Sequence, residues 1–202
     1  TPGEEGTEDT WTLEEISSSL RRGAQLTASQ LDGMVSAEPS DIRYLMLSNI
    51  QDGVIEGENL PYLSKLESKY DKFCLKDGSL VISKNGMPFK SAVPSVGNGA
   101  RILANGNLFI VDLDTEKVSP YYVKAFLDSP AGEAALASIA QNGNISSISL
   151  EALKKLRIPA ADMKRQHGVA RKYEAALAVI VRMKEELKNR SESLKQIFDS
   201  QD

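Results

Sequence analysis

The side chains best suited to recognise a ligand lie in polar turns between apolar runs. Lys84 and Asn85 follow the run Ser79–Ser83, and Asn142 and Asn144 lie in a turn near Ser146. Asparagine can form two hydrogen bonds with the major-groove edge of adenine, and lysine or arginine can do the same with guanine. Asn-Gly pairs also make turns without any ligand, so composition alone gives this hypothesis little support. The candidates for base reading are Lys84, Asn85, Lys90, Arg101, Asn142, Asn144 and Ser146.

Catalytic and metal-binding patterns are missing from the sequence. The chain has one Cys and one His, and no HExxH or CxxC motif. These cannot build the usual zinc ligand sets, so we expect no metal and no cofactor. A nucleophilic pair of Cys74 and His167 is the remaining alternative, but the apolar neighbours Phe73 and Leu75 favour a buried thiol. We interpret the chain as non-enzymatic.

Charge is unevenly distributed along the chain. The net charge of −4 and the pI near 5.2 argue against a nonspecific polyanion binder. Four acidic residues within the first ten account for the whole net negative charge. Residues 65–101, in contrast, carry seven basic and three acidic residues. That local excess suits an anionic ligand, although a solvated charged face is the simpler interpretation. The candidates for phosphate contacts are Arg21, Arg22 and Lys72.

Length and composition suggest one domain with an appendage. The 202 residues are 41% hydrophobic, which is enough for a core, and no run approaches the length of a membrane span. One cysteine excludes an intrachain disulfide and fits a reducing cytoplasm, so we expect a cytoplasmic protein without a membrane partner. We divide the chain into a disordered acidic leader (1–10), a recognition domain (11–160) and a long helix (161–202).

Local patterns predict an α+β fold with mixed strands and short helices. Leu13, Ile16 and Leu20 fall on one helical face, which predicts a short helix that ends at Gly23. The glycine-punctuated apolar runs that follow predict strands at 79–83, 89–96, 100–104 and 107–113. Ser-Pro pairs at 119–120 and 129–130, and Ser149, predict the starts of three helices.

A heptad pattern runs from Met163 to Phe198 and predicts one long helix. Such a helix spans about 50 Å at about 1.5 Å per residue, farther than the rest of the chain can cover. Its apolar stripe therefore needs a partner helix. The residues that we assign to that partner surface are Tyr173, Ile180, Met183, Leu187, Leu194 and Ile197.

From Trp11 to about Gln196 the sequence resembles half of a specificity subunit of type I restriction-modification systems, namely one target recognition domain followed by one conserved helix. Each motif is loose, and their order and spacing make the resemblance specific. The motifs are Leu13–Ile16 with Arg22-Gly23, Asn49-Ile50 before Asp52-Gly53, Leu75–Ser83 with Lys84–Gly86, Asn107–Val111, Ser119–Tyr122, Leu127–Gly132, and Ile148–Pro159 with Gln166.

This resemblance implies a non-catalytic module that reads one half of a split target in double-stranded DNA. It implies as partners a DNA methyltransferase subunit, a restriction subunit, and a second recognition half, from another copy or a paralogue, joined through the long helix. Since the chain begins with Thr1, two expectations stay open: a half-subunit, or the C-terminal part of a fused N6-adenine DNA methyltransferase. The alternative function is a protein-interaction adaptor with a coiled-coil stalk.

Overall fold

The computed structural model describes residues 9–97 and 99–201, so residues 1–8 of the expected leader lie outside the described residues. The strands are β1 (Thr10–Thr12), β2 (Ser17–Arg22), β3 (Val35–Ser36), β4 (Ile42–Leu45), β5 (Ile50–Gln51), β6 (Val54–Ile55), β7 (Tyr62–Leu63), β8 (Ser79–Ser83), β9 (Ser91–Ala92), β10 (Arg101–Ala104), β11 (Leu108–Leu113) and β12 (Arg157–Pro159). The α-helices are α1 (Ala28–Asp32), α2 (Pro120–Leu127), α3 (Pro130–Ile139), α4 (Leu150–Lys154) and α5 (Met163–Gln196). Short 3-10 helices lie at Leu47–Asn49, Gly57–Asn59, Ser68–Phe73 and Asp199–Gln201.

The central sheet is antiparallel, with the strand order β2-β11-β8-β9. Every residue of its two middle strands, β8 and β11, is buried. Strands that are covered on both faces read as continuous apolar runs, which is why the sequence identified these two. Their register pairs Leu108 with Ser83 and Asp112 with Ser79.

The two faces of the central sheet pack against different layers. On one face Ile82 packs with Val123 of α2 and Leu136 of α3. On the other face Val81 packs with Ile102 of a second, four-stranded sheet of order β10-β4-β7-β3. In that sheet β10 is parallel to β4, whereas β4 and β3 are antiparallel to β7. The fold is therefore α+β with mixed strands and short helices, as predicted.

The N-terminal segment forms strands, so the predicted helix at residues 13–20 is wrong. β1 pairs antiparallel with β12, and β2 pairs antiparallel with β11. Between β1 and β2 the chain turns tightly: the amide of Thr12 donates to a carboxylate oxygen of Glu15 (2.6 Å). Leu13 and Ile16 are buried in this turn. The spacing of these two residues, which suggested a helix, belongs to the turn. The long-range pairing of β2 outweighed local helix propensity.

The predicted helices after residue 119 are present, and side-chain caps fix several of their starts. The hydroxyl of Ser129 accepts from the amide of Gly132 (3.1 Å), and that of Ser149 accepts from Ala152 (3.1 Å). The carboxylate of Asp162 accepts from the amide of Arg165 (2.8 Å) at the start of α5. Each acceptor satisfies one of the amides that the first turn of a helix leaves without a partner.

The long helix α5 has 34 residues and docks on α2 by its first turns. The buried amide of Gln166 accepts from the amide of Ser119 (2.9 Å) and donates to the carbonyls of Ala161 (2.9 Å) and Lys117 (3.2 Å). We call α5 the stalk and the described residues before it the head. No helix among residues 9–97 and 99–201 is long and apolar enough to cross a membrane.

Candidate nucleic-acid interface

Two loops that are far apart in sequence form one surface beside the end of β8. The turn that starts at Lys84 follows β8, and the loop of residues 140–148 joins α3 to α4. The amide of Gly86 donates to the carbonyl of Ser146, and the amide of Ile148 donates to the carbonyl of Lys84, both at 2.9 Å. These bonds place Asn85 opposite Ser147 in an antiparallel bridge. The structure thereby brings together Lys84, Asn85, Asn142, Asn144 and Ser146.

A third turn, between β10 and β11, joins this surface. The amide of Lys84 donates to the carbonyl of Asn107 (2.9 Å), and the side chain of Asn107 is exposed. The sequence reasoning missed this residue, although the Asn105-Gly106-Asn107 turn contains an Asn-Gly pair, as does the turn that starts at Lys84. We define the loop surface as Lys84, Asn85, Asn107, Asn142, Asn144 and Ser146.

The loop surface is held by backbone bonds and leaves its side chains uncommitted. Within residues 9–97 and 99–201, none of its six side chains has a hydrogen-bond or ion-pair partner. The nearby sequence adds no negative charge, since residues 78–111 contain three basic and no acidic residues. An ammonium and several amides can donate to and accept from base edges.

The other two predicted base readers lie outside the loop surface. The ammonium of Lys90 donates to the carbonyl of Ile50 (2.9 Å), which ties it to the β5–β6 hairpin. Arg101 begins β10 in the second sheet, and its guanidinium is paired with Asp71. Both side chains hold parts of the head together in this structure.

Two of the three predicted phosphate contacts lie elsewhere. Arg21 is bound to the buried carboxylate of Asp112 (2.5 Å), to the hydroxyl of Ser19 (3.2 Å) and to the carbonyl of Lys72. It neutralises Asp112 and has little freedom to bind a ligand. Lys72 is exposed, with its ammonium 5.1 Å from the centre of the ring of Phe73.

Arg22 is the third predicted phosphate contact and lies beside the loop surface. Its guanidinium donates from Nε to the carbonyl of Gly106 (2.5 Å), in the β10–β11 turn. One guanidinium edge is used by this bond, and the side chain is partly exposed. Of the three candidates, Arg22 is therefore the one that is bonded to a turn of the loop surface.

Cys74 lies beside Arg21 and Arg101, close to the second sheet. Its thiol is 3.9 Å from the carbonyl of Tyr70. Burial raises the pKa of the Cys74 thiol, and the nearby guanidiniums of Arg101 and Arg21 offset this in part. A raised pKa disfavours the nucleophilic thiolate. His167 lies exposed on the stalk.

Most residues of the predicted partner surface of the stalk are exposed. Met183, Leu187 and Leu194 are 63–67% exposed, and Ile180 and Ile197 are also exposed. They form an apolar stripe that the described residues leave uncovered.

Tyr173 differs from these residues, because its side chain contacts the head of its own chain. Its ring lies 6.3 Å from that of Tyr121, and its hydroxyl donates to the carboxylate of Asp128. The ring therefore faces the head of its own chain. Burial, followed by the contact with Asp128, raises the pKa of Tyr173.

A polar cluster fixes the stalk to the head. The side chain of Lys124 is 1% exposed, and its ammonium lies 2.6 Å from a carboxylate oxygen of Asp128. Burial lowers the pKa of Lys124, and the bond to Asp128 counteracts this effect. Asp128 also accepts from Tyr173, so one carboxylate joins α2 to α5. We call Asp52, Gly53, Lys124, Asp128, Tyr173 and Lys184 the stalk junction.

The β5–β6 hairpin completes the stalk junction. The ammonium of Lys184 lies 2.9 Å from the carboxylate of Asp52 and 3.4 Å from that of Glu56. These bonds raise the pKa of Lys184, with the contact to Asp52 as the largest cause. Gly53 has φ +75°, and a Cβ there would lie 3.1 Å from the ammonium of Lys124. The hairpin tip therefore closes over the Lys124–Asp128 pair while its acids hold the stalk.

The fold is shared with solved structures of restriction-modification proteins. The S subunit of the M. genitalium type I system matches with a TM-score of 0.58 and 16% identity, over 100% of this chain and 48% of that chain. The HsdS subunit from Thermoanaerobacter tengcongensis matches with a TM-score of 0.59 and 12% identity, over 92% of this chain and 42% of that one. The type IIG restriction endonuclease BpuSI matches with a TM-score of 0.59 and 12% identity, over 82% of this chain and 26% of that chain.

The chain spans about half the length of the S subunits that it matches. No protein-family model and no curated protein sequence matches it. At 12–16% identity these likenesses establish the fold and its arrangement of head and stalk.

Proposed function

We propose that this chain is a sequence-specific DNA recognition unit of a type I restriction-modification system, and that it reads one half of a bipartite target. The loop surface carries this proposal. Three turns from different parts of the sequence place a lysine, four asparagines and a serine side by side, with no internal partners among the described residues. The fold of the S subunits, which the chain shares, supports the same function.

The chemistry of the loop surface suits the major groove. An asparagine amide can donate to and accept from adenine at once, and the ammonium of Lys84 can donate to guanine. Each good bidentate contact supplies about 1–3 kcal/mol of discrimination, so two or three of them suffice for a half-site. Arg22 and Lys72 would add phosphate contacts, which raise affinity without specificity and weaken with salt.

The exposed stripe of the stalk would bind the helix of a second recognition half, in another copy of this chain or in a related one. Paired stalks would hold two half-sites at a fixed separation, and a symmetric pair would read a pseudo-palindrome. We assign to the stalk the docking of the methyltransferase subunit as well, with the restriction subunit joining that complex. Under this proposal the chain itself performs no catalysis.

Selection from a randomised duplex pool tests the proposal. Bound duplexes are sequenced with the chain alone and with the partner methyltransferase, and one enriched half-site is expected. A triple variant, Lys84→Ala with Asn85→Ala and Asn144→Ala, should lose the enrichment. The matched control, Lys65→Ala with Ser68→Ala, changes exposed head residues outside the loop surface and should keep it.

Two results would count against the proposal. If neither condition enriches any sequence, recognition of DNA sequence is excluded. If the triple variant enriches the same half-site as the wild type, the loop surface is not the reader. An adaptor that presents its head to another protein predicts no enrichment at all.

The length of the stalk gives a second test. Seven residues inserted after Asn189 add about two helical turns and preserve the heptad register. This position lies beyond Lys184, so the stalk junction stays intact. The spacing between half-sites should increase, with each half-site unchanged. A changed half-site would mean that the reader had been misassigned.

A further inference from the structure

Two large apolar side chains are exposed on the loops that carry the loop surface. Met87 is 57% exposed and follows Gly86, and Ile145 is 69% exposed and precedes Ser146. The antiparallel bridge places Asn85 opposite Ser147, and the amide of Gly86 bonds to Ser146. The Gly86–Ser146 bond joins the two loops at the residues next to Met87 and Ile145.

This exposure is unusual for the head. Among its described residues, the exposed large hydrophobic side chains are Val35, Met87 and Ile145, so two of the three lie on adjacent loops. A single exposed apolar residue needs no explanation. Two exposed apolar residues on joined loops, among side chains that donate or accept hydrogen bonds, indicate a ligand with an apolar group next to polar ones.

We propose that Met87 and Ile145 contact the C5-methyl groups of thymines in the major groove, and so add A·T pairs to the half-site. This inference rests on the proposed function. In the major groove, base pairs present donors, acceptors and one apolar group, the thymine methyl. Asn85 and Asn144 adjoin the two apolar residues and can bond the adenine of the same or a neighbouring pair, while Met87 and Ile145 cover the methyl.

Replacing thymine by deoxyuridine tests this contact, because deoxyuridine lacks only the methyl. The probe is the duplex enriched from the randomised pool, with each half-site thymine replaced in turn and the Kd measured by fluorescence polarisation. The wild type should bind the deoxyuridine duplex about fourfold more weakly for each contacted methyl that is removed. This factor corresponds to ~0.8 kcal/mol per buried CH₂. The variant Met87→Ala with Ile145→Ala should bind both duplexes equally.

The control variant Asn144→Ala should lose discrimination at its own base pair but keep the dependence on the methyl. Circular dichroism of the Met87→Ala/Ile145→Ala variant should match the wild type, because both side chains are exposed. Met87→Gln, which keeps the length of the side chain, should also lose the methyl dependence.

Three outcomes would overturn the inference. One is equal wild-type affinity for thymine and deoxyuridine at every position. Another is a difference that persists in the Met87→Ala/Ile145→Ala variant. The third is unstacking, seen as increased 2-aminopurine fluorescence without any methyl effect, which would make the two residues wedges between base steps. A pool without any enriched sequence would instead count against the proposed function.

Discussion

The loop surface and the stalk junction are built by opposite means. In the loop surface, backbone bonds such as Gly86 to Ser146 and Lys84 to Asn107 fix the loops, and the side chains have no partners among the described residues. In the stalk junction, the side chains themselves make the contacts, from Lys124 to Asp128 and from Lys184 to Asp52. A surface held by its backbone tolerates substitution of its side chains, whereas the junction depends on their identities.

This difference suits a protein that reads sequence from a fixed frame. The side chains of the loop surface can change without loss of the fold, and under the proposed function the bases that are read change with them. The stalk must keep its direction relative to the head, because that direction sets the distance between half-sites under the proposed function. Substitutions should therefore separate stability from recognition in the two regions.

The largest loss of stability is expected for Asp128→Ala. It leaves the buried ammonium of Lys124 without its carboxylate. Breaking a buried ion pair costs about 3–5 kcal/mol, and since Asp128 is 38% exposed, water reduces the expected loss to about 2–3 kcal/mol. Urea unfolding measures it. Asp128→Asn, which keeps an acceptor, should lose less. A loss below about 1 kcal/mol would show that water already solvates the ammonium of Lys124.

Tyr173→Phe should cost about 1 kcal/mol at neutral pH, the usual contribution of one hydrogen bond. Its raised folded pKa means that the folded protein keeps a proton that the unfolded chain releases above about pH 10. The contribution of Tyr173 is complete below that pH and is lost as the pH rises through the folded pKa. The difference in the free energy of unfolding between the wild type and Tyr173→Phe, measured in urea at pH 7 and at about pH 11, should therefore be smaller at the higher pH. A constant difference would contradict this assignment.

Lys184→Ala should change geometry more than stability. Its ion pairs with Asp52 and Glu56 are partly exposed, so their loss should cost about 0.5 kcal/mol. With spin labels at Ser64→Cys and Leu194→Cys in a Cys74→Ala background, the distance distribution should broaden. Lys172→Ala, an exposed change on the same helix, should leave it unchanged. An unchanged distribution in Lys184→Ala would mean that α2 alone orients the stalk.

The smallest change in stability is expected for the triple loop variant at Lys84, Asn85 and Asn144. Asn144 is exposed and Lys84 and Asn85 are half-buried, and side chains at the surface without partners usually contribute within about 0.5 kcal/mol. Its midpoint of urea unfolding should match that of the wild type, although its sequence preference is lost. If it unfolds more than about 1 kcal/mol more easily, these side chains support the loops, and the contrast between the two regions fails.

The charge of the whole chain is a poor guide to these surfaces. The net charge of −4 argued against a nonspecific polyanion binder. Residues 78–111 nevertheless contain no acidic residue, and α5 carries nine basic and four acidic residues. Since screening confines electrostatic effects to roughly 10 Å, the charge within each surface governs binding more than the net charge of the chain does.

Some features of the protein were determined by the sequence alone. The buried strands β8 and β11, the helices after residue 119 and the length of α5 follow from apolar runs, Ser-Pro starts and heptad spacing. These signals are local, since neighbouring residues suffice to form the hydrogen bonds of a helix or to show that a strand is covered. The resemblance to specificity subunits likewise indicated the fold, from the order of motifs.

Tertiary structure decided which segments and side chains meet. Where a helix was predicted at residues 13–20, it formed a turn followed by the strand β2, because β11 offered hydrogen bonds that local propensity could not outweigh. It joined the turn at Lys84 to the loop that contains Asn144, and it engaged Lys90 within the head. It also directed Tyr173 toward Asp128. Such choices depend on contacts between residues far apart in the chain, which spacing along the sequence does not encode.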